Sequence, residues 1–146
     1  MFNDTSHLQD SISDGPGAML GADRDLIEQS VRKLFLDSID VDAAFNKATT
    51  QRGKPLGLFL GYEDNFVVAL EPHHGNHKEV KVVIAKKRSC RDQIKAHVIP
   101  GREPRIWPWV SKNTDFIALD KARPLLDQEG ILYVGKIRLK KHLKKI

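Results

Sequence analysis

Residues 56–86 read LGLFLGYEDNFVVALEPHHGNHKEVKVVIAK. Three apolar runs, 56–60, 66–70 and 80–85, alternate with the turn-rich segments GYEDN and PHHGNH. Runs of five or six residues suit strands better than helices. Val67, Val68, Val80, Val82, Val83 and Ile84 are β-branched and favour a pleated, half-buried surface. The stretch therefore reads as a three-stranded antiparallel meander, and the rest of the chain is arranged around it.

On its N-terminal side, residues 1–21 are rich in Asp, Ser and Gly, which predicts a flexible acidic tail ahead of a single α+β domain at 22–146. Asp23 is a candidate helix N-cap, and Leu26, Ile27, Val31, Leu34 and Phe35 recur at helical spacing over 24–37. Asp40 or Asp42 would cap a shorter helix with Val41, Ala44, Phe45 and Ala48 on its apolar face, ending before Gly53. On the C-terminal side, QIKAHVI at 93–99 alternates like a half-buried strand. PGREPRIWPW at 100–109 holds three prolines and reads as a loop. A strand over 114–119, a helical turn over 121–128 closed by Gly130, and a last strand over 131–139 complete the order.

Consecutive short strands imply an α+β fold. The expected form is an N-terminal amphipathic helix, plus a short second helix, packed on one face of a sheet. That sheet would be strongly bent and antiparallel, or a small partly open barrel, of about five to six strands. An N-terminal helix followed by GKPLGLFLGYEDNFVVAL, with Asp64 ahead of an apolar strand, resembles the opening of the Sm-like RNA-binding barrels. The resemblance covers under a third of the chain, implies a small barrel, and carries over no site residue.

The 146 residues, 40% apolar and 29% charged, suit a soluble globular protein with a real core. No run approaches the roughly 18 apolar residues of a membrane span. The N-terminal sequence lacks the pattern of a secretory signal. One cysteine, Cys90, excludes an internal disulfide framework and fits a reducing, cytoplasmic compartment. The net charge of +5 is unevenly placed: residues 1–72 hold 6 Lys/Arg and 12 Asp/Glu, and residues 73–146 hold 18 and 7. A half-chain this basic is the footprint of a polyanion partner, RNA or DNA, or of an acidic protein.

Within that half, Lys81, Lys86, Lys87, Arg88, Arg91, Arg102 and Arg105 are the candidate phosphate contacts, and Trp107 is a candidate stacking platform. His74, His77 and His97 are candidate acid–base groups for a ribonuclease, because imidazole titrates near neutrality. His73, His74 and His77 match no metal-ligand spacing, so no metal or other cofactor is expected. Asp64 with Glu79-Val80-Lys81 has the residue types of a metal-dependent nuclease, provided Glu79 and Lys81 share a strand face. Cys90 lies among basic residues but has no partner that would make it a nucleophile. The leading expectation is a small basic domain that binds nucleic acid. Two alternatives stand beside it: a histidine nuclease, and a protein-interaction module, dimeric through its amphipathic helix.

Overall fold

The computed structural model of the chain describes residues 1–19, 21–48, 57–62, 66–72, 75–111 and 120–134. Among these residues it is a mixed α+β fold around one open sheet of six strands: β1 (Ser13–Asp14), β2 (Phe35–Asp40), β3 (Leu58–Tyr62), β4 (Phe66–Pro72), β5 (Trp107–Val110) and β6 (Ile131–Val134). The strands lie side by side in chain order. β1 to β4 are antiparallel neighbours, whereas β4, β5 and β6 run parallel. Among the described residues the sheet is therefore open and mixed where an all-antiparallel sheet or a partly open barrel was expected, and they do not close the barrel implied by the Sm-like resemblance.

The hairpin at the centre matches its sequence reading. β3 and β4 pair in continuous register from Leu58↔Leu70 to Tyr62↔Phe66. Alternation along them feeds two faces. Phe59, Val67 and Ala69 join one core cluster, and Leu58, Leu60, Val68 and Leu70 join another. Both faces are covered, which is why these strands are near-continuously apolar.

The third expected strand is a helix. Residues 80–85 open α4 (Val80–Ile94), the longest helix described, with Val80, Val83, Ile84, Cys90 and Ile94 buried. Those positions recur at three- and four-residue steps or multiples of them, a periodicity visible only when the window extends past Lys86. Asn76 starts the turn: its side chain accepts from Glu79 N–H at 3.2 Å. A parallel crossover from β4 to β5 needs a connection of a dozen residues or more, and α4 supplies it. The strand expected at 93–99 is not formed: residues 93 and 94 end α4, His97 N–H turns back to Ile94 O at 2.8 Å, and Val98 makes an isolated antiparallel bridge to Phe2.

The expected loop at 100–109 ends in β5, a strand that contains Pro108 between two neighbours. Proline costs a ladder donor in a central strand. Here β5 pairs with β4 at Glu71↔Trp109 and Pro72↔Val110, and the residue before β5 bridges at Val68↔Ile106, so Pro108 falls in the gap on the β4 side while it pairs with Leu132 on β6.

The helix expected over 24–37 is also redistributed. Two short helices, α1 (Gly21–Arg24) and α2 (Gln29–Arg32), precede β2. The apolar stripe still reaches the core: Leu26, Ile27, Val31 and Phe35 all join the Leu60 cluster. Only the backbone differs, because β3 supplies ladder partners for Phe35–Asp40. The following α3 (Val41–Ala48) agrees with its reading, with Asp40 Oδ1 accepting from Ala43 N–H at 2.9 Å and Val41 and Ala44 buried. α3 and α4 contribute to the opposite face from Leu26 and Val31, so helical segments cover both faces rather than one.

The first nineteen residues are packed, contrary to the expected flexible tail. Phe2 is 1% exposed and Leu8 is 0% exposed, both in the cluster of Phe59 and Trp107. Phe2 bridges Val98 antiparallel, and Asn3 N–H donates to His97 O at 2.8 Å. The polar composition concealed a few large apolar anchors spaced along the segment. α5 (Arg123–Gln128) ends at Gly130, φ +66°, in the left-handed conformation that the sequence assigned to this stop. The expected strand at 114–119, residues 135–139 of the last strand, and the lysine-rich end lie outside the described residues.

Candidate functional site

α4 positions most of the cationic side chains that the sequence singled out, and it divides them. Lys86 reaches the sheet, where its Nζ lies 2.6 Å from Glu71 Oε1 on β4. Glu71 is 3% exposed, and its Oε2 accepts from Gly57 N–H at 3.0 Å. Lys87 Nζ donates to Glu129 O and sits 5.3 Å from the Trp107 ring centroid. Burial pushes the Lys87 ammonium below its usual pKa, assisted by the charge of Arg91 and opposed by that of Glu129. Both lysines are half-buried and engaged within the fold, where a solvated link was expected.

Arg88, Arg91 and Lys95 are exposed. At 3.6 residues per turn they fall within about 60° of one another on one flank of α4. Arg88 is held by Glu129, with Nε 3.2 Å from Oε2 and Nη2 on Oε1. That hydrogen bond raises the Arg88 pKa and lowers that of Glu129. Arg91 Nε lies 4.0 Å from Asp92 Oδ1.

Beside this flank a groove of about 420 Å³ opens between the end of α4 and the segment leading into β5. Ile94, Val98 and Trp107 are buried and form its apolar floor with half-buried Pro104; Arg91, Asp92, Lys95 and Glu103 are exposed at its rim. Of the expected contacts, Arg91 and Trp107 line the groove. Lys81 is exposed at the first turn of α4, far along the helix from Lys95. Arg102 is half-buried and outside the groove lining, and Arg105 stacks over Phe66, 5.5 Å from its ring centroid. Sequence reasoning placed Lys95 near the basic cluster without making it a contact, and left Glu103 and Glu129 out of the site. Lys95 follows Arg91 by four residues, a signal that appears once 80–94 is recognised as a helix.

The nuclease constellations do not assemble among the described residues. His77 lies just before α4 and His97 just after it, so 15 helical residues at 1.5 Å each place roughly 20 Å between them. His73, His74 and Asp64 lie outside the described residues. Glu79 and Lys81 straddle a helix start and share no strand face. No group of three or more His, Cys, Asp or Glu among the described residues is placed to hold a metal ion. Cys90 is buried in the core and offers no exposed thiolate. No helix among the described residues is long and apolar enough to cross a membrane.

His97 instead fastens the N-terminal segment. Its Nδ1 is 2.8 Å from Ser6 Oγ, which accepts from Leu8 N–H at 3.2 Å. Which of the two donates follows the imidazole tautomer, because the hydroxyl oxygen has lone pairs for both the Leu8 N–H and a ring N–H. The His7 ring centroid is 4.9 Å away and that of Phe45 is 5.6 Å away. Burial, then the proximity of His7, lowers the His97 pKa. A depressed folded-state value means stability is complete above the ordinary imidazole range near 6.5 and is lost as pH falls through the lowered value. The thermal midpoint is expected to fall between pH 7 and pH 5, and to fall less in His97→Gln. Equal slopes in the two proteins would show that this imidazole is not the titrating group.

Compared with known protein families, with curated proteins and with solved structures, the chain finds no match in any of the three.

Proposed function

We propose that this protein binds nucleic acid through the Arg88–Arg91–Lys95 flank of α4 and the groove beside it. The observation that supports this reading is the placement of exposed cations along the border of a concavity with an aromatic and apolar floor. Guanidinium and ammonium groups neutralise phosphates, and an adjacent apolar surface accepts a base. The binding surface is smaller than the whole basic half, because Lys86 and Lys87 are committed to Glu71 and to the Glu129 carbonyl.

Glu129 shares Arg88 with any incoming phosphate. Arg91→Glu with Lys95→Glu is expected to weaken binding to a labelled oligonucleotide at least about 10-fold. It should also flatten log K against log salt by roughly 0.7–0.9 for each phosphate that is no longer neutralised. The melting temperature should hold, since both side chains are exposed. Glu129→Gln releases Arg88 and is expected to act in the opposite direction, tightening binding and steepening the salt slope. Anisotropy titrations at about 50 and 200 mM salt read both effects. Unchanged affinity in the double reversal would remove this flank from the interface.

A further inference from the structure

We infer that the groove beside Trp107 receives one unpaired nucleotide, so that the protein selects single strands over duplex. The inference rests on the nucleic-acid reading above and assigns its substrate class. The rim carries two cations and two carboxylates, Arg91 and Lys95 against Asp92 and Glu103. A phosphate seated inside would face both carboxylates. A base seated inside would not be repelled, because carboxylates accept from the exocyclic amines of adenine, cytosine or guanine. The charge pattern therefore puts the phosphate outside, on the α4 flank, and the base inside.

The floor agrees with that division. Ile94, Val98 and Trp107 are buried and Pro104 is half-buried, giving an apolar surface under the charged rim. A volume of about 420 Å³ is at the small-ligand end of the pocket range, suited to one nucleotide and not to a stacked run. In a duplex both faces of each base are covered by its neighbours, so only an unpaired base can bring a face to this floor.

The test compares an unstructured oligonucleotide with its duplex at one salt concentration, using the full chain. The single strand is expected to bind at least about 10-fold tighter. Pro104→Glu puts a hydrated charge on the apolar floor, under the face of the base and not at its amine edge, and is expected to erase this preference while leaving the salt slope of binding in place. A second readout needs no variant. The chain has two tryptophans, of which Trp109 is 0% exposed and Trp107 lines the groove. Tryptophan emission should change with the single strand and with adenosine monophosphate as probe, and not with the duplex. Equal binding of single strand and duplex, with a steep salt slope, would overturn this inference and leave the nucleic-acid reading standing. Tight single-strand binding without any change in emission would also overturn it. Binding of neither form would overturn both.

Discussion

Phe2→Ala combined with Leu8→Ala is expected to bring the protein to its folding threshold. The two side chains are 1% and 0% exposed in the cluster that also holds Phe59, Ile94 and Trp107. Truncating a buried phenylalanine costs about 3–5 kcal/mol and a buried leucine about 2–5, through reduced burial and the cavities left behind. Their sum is comparable with the whole stability of an ordinary domain, about 5–15 kcal/mol. The effect should also reach the groove. Phe2 bridges Val98, a floor residue, and Asn3 is tied to His97 at the end of α4. Urea unfolding followed by tryptophan emission reads the destabilisation. A midpoint unchanged within error would mean that residues 1–14 do not carry the core position described.

The second large effect is expected from Lys86→Met. It removes the cation 2.6 Å from a carboxylate that is 3% exposed. Breaking one partner of a buried pair typically costs about 3–5 kcal/mol, mostly because the other charge stays in the interior. Adding Glu71→Gln removes that charge and keeps an oxygen for the Gly57 N–H, so the double variant should recover a large part of the stability. The two single variants and the double form a thermodynamic cycle, read from urea midpoints at constant m-value. A Lys86→Met variant within about 0.5 kcal/mol of wild type, the range of an ordinary surface change, would place the lysine in solvent.

The Lys86 pair also shows why the sequence did not reveal where each cation is placed. KKR at 86–88 looks like a continuous basic cluster, yet its three members point to three different environments. Lys86 meets Glu71, Lys87 meets Trp107 and the Glu129 carbonyl, and Arg88 meets the Glu129 carboxylate. Their hydrogen-bond partners are 15 and 41–42 residues away in sequence, so no local pattern announces them. Local signals did place the β3–β4 hairpin, the Asp40-capped α3 and the Gly130 stop, because turn residues, caps and period-two alternation act over a few residues. β-branched composition failed at 80–85, where Val80, Val83 and Ile84 satisfy a helix face as readily as a pleat. The parallel half of the sheet was hidden for a related reason. Its strands pair across α4 and α5, and the proline rule removed β5 from consideration. Of the candidate site, the identities of Arg91 and Trp107 were legible, but their meeting at one groove was not.

Amide chemical-shift mapping tests the proposed interface most directly. The isotope-labelled chain is titrated with an unstructured oligonucleotide at about 50 mM salt, where phosphate contacts are strongest. The perturbed amides are expected to cluster on residues 88–98 and 102–107, with the indole N–H of Trp107 among them and that of Trp109 unmoved. Perturbations gathered elsewhere on the molecule, or none at any concentration of oligonucleotide, would contradict that interface.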